Sequence, residues 1–162
     1  MHIISELIIF VHIKFYNYLN KKEMWTKSYS IVTKEVTKEQ MWKLISNVNN
    51  WHTWDKGIEF AKMDGNFEKG NKILLRPKGG PNVNIEILET IENKRFFDVS
   101  KMLFAKIYDD HIYEETENGL QITGIITVKG LLSFFWVKMV AQKLADSLPA
   151  DIEEQIKAAS KL

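Results

Sequence analysis

The sequence predicts an α+β domain in which an antiparallel sheet carries one long helix on its face. Three observations predict it. From Trp25 onward the chain divides into seven short alternating runs separated by turn residues. The only helical patterns among them are two short ones after the first run. The last run is followed by a single apolar stripe at helical spacing over residues 131 to 159. Strands in series followed by a helix favour an antiparallel sheet with the helix segregated to one face.

Composition narrows the chemistry. The chain has 162 residues, enough for one ordinary domain. Hydrophobic residues make up 45% and charged residues 27%, which is globular composition. Lys plus Arg is 22 against 21 for Asp plus Glu, a net charge of +1 that suggests no nucleic-acid surface. Arg76 and Arg95 are the two arginines, so bidentate clamps for phosphate or carboxylate are scarce. The absence of cysteine removes disulfides, thiolate catalysis and Cys-based metal sites together.

Residues 1 to 24 stand apart from the domain at 25 to 162. Their longest apolar run, Leu7 to Val11, is too short to span a bilayer, and no basic residue precedes it as in a signal peptide. Ile4, Leu7, Ile8, Val11, Phe15 and Leu19 share one helical stripe. The segment reads either as an accessory amphipathic helix or as a stretch ahead of the true start, with the domain beginning near Met24.

Residues 25 to 35 read as the first strand. Thr37 and Gln40 form a capping box that opens a helix with Met41, Trp42, Leu44 and Ile45 on its apolar face. A second helical turn covers Val48 to Trp54. Strands follow at 57–63, 71–77, 82–91, 95–104, 106–117 and 120–129, punctuated by Asp64-Gly65, Gly70-Asn71, Gly79-Gly80-Pro81, Glu92-Asn93 and Asn118-Gly119. In the final helix Phe134, Val137, Ala141, Leu144, Leu148, Ile152, Ile156 and Ala159 form the sheet-facing stripe, and Pro149 must kink the helix or restart it. Leu132, Phe135, Trp136, Met139 and Val140 form a surplus apolar face that needs its own partner. The N-terminal stripe is the simplest one; a second subunit in a homodimer, a membrane surface or a ligand reaching around the helix would also serve.

The last hairpin predicts which side chains point inward. A two-residue type I′ turn at Asn118-Gly119 sets Tyr113 opposite Gly124, His111 opposite Ile126 and Asp109 opposite Val128. Ile122, Gly124, Ile126 and Val128 mark the core side, and directly opposed residues share a face. Asp109, His111 and Tyr113 therefore point inward, with Gly124 leaving space for the phenol ring. Three readings of these groups stay open: they complete a satisfied core, they orient a ligand in an apolar cavity, or His111 acts as a general base oriented by Asp109.

Other constellations carry less. His2, His12, His52 and His111 lack metal spacing, so no metal or other cofactor is expected. Gly79-Gly80 lacks the strand-to-helix context of a phosphate loop. Trp51 and Trp54 read as core anchors first and cavity lining second.

From Trp25 to about Ala159 the chain resembles the START-like, helix-grip proteins of the SRPBCC superfamily, in particular the polyketide cyclase/dehydrase-like branch. The resemblance rests on four features in order: the capped helix followed by Trp51-His52-Thr53-Trp54-Asp55; Gly65-Asn66-Phe67-Glu68-Lys69-Gly70; a strand with Asp110-His111 leading through Asn118-Gly119 to Val128-Lys129-Gly130; and the long C-terminal helix. It implies a seven-stranded antiparallel sheet curved around the last helix, a ligand cavity between them, and binding of a hydrophobic, lipid- or polyketide-like small molecule. Trp54, Phe97, Val99, His111, Tyr113, Ile126, Val137, Ala141 and Leu144 are the expected lining; Phe97 and Val99 enter because they alternate on their strand. A cyclase or dehydratase using His111 with Asp109 or Tyr113 is the enzymatic alternative. An interaction module using Leu132, Phe135, Trp136 and Met139 is the third reading. A cytoplasmic protein with no nucleic-acid or membrane partner is expected.

Overall fold

The computed structural model describes residues 24–162. The reading of residues 1 to 24 as a helix or an upstream stretch thus lies, but for Met24, outside the described residues. Strand β1 (Met24–Thr33) leads into helix α1 (Lys38–Ser46), which opens with the expected capping box. The Gln40 amide donates to Thr37 Oγ1 at 3.3 Å, and the Thr37 amide donates to Gln40 Oε1 at 2.9 Å. A 3₁₀ turn (Val48–Asn50) joins the one-turn helix α2 (Trp51–Trp54), anchored by Trp51 Nε1 donating to the Ile45 carbonyl at 2.8 Å. Six strands follow: β2 (Ile58–Met63), β3 (Lys72–Pro77), β4 (Val83–Ile91), β5 (Arg95–Met102), β6 (Ala105–Thr116) and β7 (Gly119–Lys129). Helix α3 (Ser133–Trp136), a π-helical turn (Val137–Ala141) and helix α4 (Gln142–Ala159) complete the chain.

All seven strands form one open, curved antiparallel sheet in the order β1-β7-β6-β5-β4-β3-β2, with β1 and β2 as its edges. The sheet buries its concave face against α4 and α1. Residues from α1 (Met41, Ile45), β4 (Ile87), β7 (Ile122) and α4 (Ile152, Ile156) meet in one core cluster. This is the α+β architecture read from the sequence, a curved seven-stranded sheet against a long C-terminal helix.

The β6–β7 hairpin differs in one respect. Thr116 pairs with Gly119, so Glu117-Asn118 form the loop and Tyr113 lies opposite Ile122, His111 opposite Gly124 and Asp109 opposite Ile126. Asn118 does not take the positive φ that a type I′ turn demands, whereas Gly119 has φ 132°. A Cβ on Gly119 would collide with the Thr33 carbonyl at the end of β1, so the glycine serves a close backbone approach. The pairing is displaced by two residues, which preserves every face because side chains alternate with period two. Gly124 makes room for the helix rather than for Tyr113: a Cβ there would stand 2.9 Å from Leu148 Cδ2.

The C-terminal helix departs from the expected stripe. Ala141, Leu148, Ile152, Ile156 and Ala159 are buried, but Phe134 and Leu144 are exposed. The π-helical turn separates Phe134 from α4 and shifts the helical phase between them, whereas Leu144 lies within α4 at the edge of its buried stripe. Pro149 lies inside α4 without ending it.

Candidate functional site

Register carries the inner face from β6 to its neighbours. Asp109, His111 and Tyr113 lie beside Ile126, Gly124 and Ile122 of β7, whose side chains face α4. On the other side, Asp98 opposes Asp109 and Phe96 opposes His111. The inner residues of β5 are therefore Phe96, Asp98 and Ser100. Phe97 and Val99, expected as lining, pair with Asp110 and Tyr108 and lie on the opposite face. Phe97 stacks on Tyr108 there, with centroids 5.8 Å apart. The correction has a simple cause: apolar alternation in Arg95-Phe96-Phe97-Asp98-Val99 favours the odd positions, but partner strands set which face is inside.

The remaining expected lining divides. His111, Tyr113, Ile126 and Ala141 are within the interior, Ile126 and Ala141 being almost completely buried. Trp54 is half-buried against the main core, and Val137 packs on a second cluster formed by Ile107, Ile126, Val128, Ala141 and Leu148. Leu144 is exposed.

Imidazole and carboxylate meet at the centre. His111 Nε2 lies 3.4 Å from Asp109 Oδ1, an ion-pair distance without hydrogen-bond alignment. The imidazole stacks on Phe96 at 5.3 Å and 11°. Burial works hardest against a charge on His111, but the carboxylates of Asp109, Asp98 and Asp110 outweigh it and raise the imidazole to about 9. Burial, then the charge of Asp109, pushes the Asp98 carboxyl well above its ordinary value. Tyr113 is raised by the same two causes in the same order. The interior thus favours the proton on the imidazole and on the Asp98 carboxyl group.

Sequence reasoning missed Asp98, Asp151, Asp55 and Gln155. Asp151 of α4 is raised chiefly by burial, against a hydrogen bond from Ser147 Oγ at 2.6 Å, and it also feels Glu154 and Asp109. Asp55, just after α2, is raised by burial and by Asp151 and Glu154. Carrying the β6 register across the turn into β5 would have found Asp98. The polar residues Asp151 and Gln155 next to the buried stripe of α4 were the remaining signal.

Four buried side-chain atoms among the described residues make no hydrogen bond: Trp54 Nε1, Asp109 Oδ1, Tyr113 Oη and Gln155 Oε1. They come from α2, β6 and α4, the elements that enclose the interior. Such groups are few in folded proteins, and each calls for an explanation. Together they leave donors and acceptors unused in the interior, a chemistry suited to orienting the polar end of an apolar molecule. Among the described residues, no three His, Asp or Glu side chains converge in a way that could hold a metal ion. A surface cleft of about 380 Å³ beside the Lys38–Glu115 ion pair shares none of these groups.

Comparison of the sequence finds no match, either to a protein-family model or to a curated protein. Comparison of the structure gives the class of fold. The chain superposes on Ara h 8.0201 with a TM-score of 0.65 at 11% identity, over 86% of this chain and 99% of that one. It is similar to a START superfamily protein from Mycobacterium smegmatis, with a TM-score of 0.61 at 14% identity, over 83% and 97% of the two chains. It also matches the di-domain ARO/CYC StfQ of the steffimycin biosynthetic pathway, with a TM-score of 0.66 at 9% identity, over 88% of this chain and 51% of that one. The chain has the helix-grip fold of these structures, the fold its motifs implied.

Proposed function

We propose that the protein binds a small hydrophobic molecule, lipid- or polyketide-like, between the curved sheet and α4. One observation carries the reading: the Tyr113 hydroxyl is fully buried without a partner, on the same strand face as an unpartnered oxygen of Asp109. A hydroxyl kept dry and unbonded is costly, and a ligand able to bond to it removes that cost. The fold neighbours support the reading, since they include a START superfamily protein and a di-domain ARO/CYC. Acidic side chains dominate the polar end, so a ligand carrying hydroxyl or amine donors suits it better than a carboxylate or phosphate. Native mass spectrometry of freshly purified protein tests this. The expected result is a bound organic species that solvent extraction removes, leaving protein that takes up Nile red. Protein that carries nothing and binds no such dye would overturn the reading.

A cyclase- or dehydratase-type enzyme is the second reading, favoured by a buried imidazole of raised proton affinity 3.4 Å from Asp109, with Asp98 opposite Asp109 on the same face. In that case His111 with Asp109 or Tyr113 moves protons on the bound molecule. His111→Ala would then abolish turnover of the extracted ligand's precursor while the protein stays folded and still binds Nile red.

A further inference from the structure

We propose that the end of the molecule built from the β5–β6 turn, the β7–α3 loop, α3 and the π-helical turn after it docks on an anionic membrane surface. Leu103, Phe104, Leu131, Phe134 and Met139 are 61 to 74% exposed there, and Phe135 is 44% exposed. Soluble surfaces seldom gather so many large apolar side chains in one place. The segments are tied into a single platform. The Leu132 amide donates to the Phe104 carbonyl at 3.2 Å, and Trp136 Nε1 donates to the Leu103 carbonyl at 2.9 Å. Gly130 packs so closely that a Cβ would stand 2.5 Å from the Phe104 carbonyl oxygen. Phe104 itself has φ 52°, an unfavourable conformation for a bulky residue, and it holds the ring out toward solvent.

Charge identifies the occupant. Across residues 99–108 and 128–145 the chain has five lysines (Lys101, Lys106, Lys129, Lys138 and Lys143) and no Asp or Glu. The whole chain is +1 and these two segments are +5, so everything else carries −4. Lys106 stands directly opposite both Lys101 and Lys129, an arrangement of like charges that a sheet alone does not favour. Lys101 is paired with Glu86 at 2.6 Å, whereas Lys106, Lys129, Lys138 and Lys143 have no carboxylate within ion-pair distance among the described residues. Exposed apolar side chains in segments that carry lysines and no acidic residue match a bilayer interface with anionic headgroups, where each lysine adds attraction and the apolar side chains enter the headgroup layer. A protein interface would deplete lysine. A second copy would bring two such basic surfaces together, and residues 1 to 23, with three lysines and two glutamates, supply no opposing charge. Docking of this kind needs no spanning helix, and none of the described helices is long and apolar enough to be one.

Co-sedimentation of the full chain with phosphatidylcholine vesicles, with and without phosphatidylglycerol, tests the proposal. Binding to the anionic vesicles should be at least about tenfold tighter and should weaken as salt shortens the screening length. Replacing Lys106, Lys129 and Lys138 together by alanine should remove most of that preference. Phe104→Gly relieves the positive φ, so it should keep or raise the melting temperature while weakening vesicle binding several-fold. Equal binding to both vesicle types, or none, would overturn the proposal. So would a concentration-dependent dimer, seen by analytical ultracentrifugation and abolished by Phe104→Gly, because the patch would then serve self-association. Neither result bears on whether the interior holds a ligand, which Nile red uptake reports separately.

Discussion

Asp109 and Asp110 are adjacent on β6, yet their surroundings are opposite in kind. On the outer face Asp110 receives two parallel hydrogen bonds from Arg95, Nε to Oδ1 at 2.8 Å and Nη2 to Oδ2 at 2.7 Å. Arg95 also donates to Glu89 at 2.5 Å, and its guanidinium lies 5.0 Å from the centre of the Phe97 ring. Every charge in that group has a partner. On the inner face Asp109 has an oxygen with no hydrogen bond and only a 3.4 Å contact with His111. Strand β5 repeats the contrast with Phe97 outside and Phe96 inside. The outer network is closed and structural. The inner one keeps unused hydrogen-bonding capacity, which is why function is sought there.

The largest effect should separate the two phenylalanines. Phe96 is buried among Trp51, Phe67 and His111, so Phe96→Ala should cost about 3–5 kcal/mol in urea unfolding. Phe97 packs on Tyr108 and Arg95 at the surface of the sheet, and Phe97→Ala should cost only about 1 kcal/mol. Equal losses would break the distinction between the faces.

Acidity should sharpen it next. The raised folded-state value of His111, about 9 against 6.5, means that its contribution is complete below pH 6.5 and lost as the pH climbs through about 9. That shift corresponds to about 3 kcal/mol. Asp98 acts with the same sign. Its folded value lies above its unfolded one, so the folded state holds a proton that the unfolded chain releases, and stability declines from about pH 4 upward. On the inner face the imidazole meets the carboxyl groups of Asp98 on β5 and Asp109 on β6. Unfolding midpoints should therefore fall between pH 6.5 and 9, and His111→Asn should flatten that limb. A midpoint that stays level over this interval after rising with pH below 6.5 would show that the imidazole is buried neutral.

These differences explain how much the sequence revealed. The strands were legible because turn residues and alternating patterns are local, and α1 was legible because Thr37 and Gln40 state its beginning. The inward direction of Asp109, His111 and Tyr113 survived a pairing displaced by two residues only because period two conserves faces. Phe97 and Val99 were misplaced because β5 is apolar on both parities, so its face depends on β6 and β4, not on its own pattern. Phe134 fell outside because a π-helical turn leaves no mark in apolar spacing, and Leu144 because it stands at the edge of the α4 stripe. The acidic groups Asp98 and Asp151 were hidden for a different reason: a buried carboxyl runs against the expectation that polar residues mark the surface, and only the assembled interior shows what shields it.

The smallest effect on stability is the most diagnostic one. Tyr113→Phe removes a buried hydroxyl that has no partner, and with it the penalty for leaving that group unbonded. Ligand-free protein should therefore unfold at the same urea concentration or be more stable by up to about 1 kcal/mol. A hydroxyl held in the core by a structural bond would instead cost about 1–2 kcal/mol on removal. The same variant should bind Nile red as the parent does, since the apolar walls are unchanged, yet release the co-purified ligand more readily because one hydrogen bond is lost. A clear loss of stability together with unchanged ligand retention would assign Tyr113 to the scaffold and leave Asp109 without the neighbour on which the binding proposal depends.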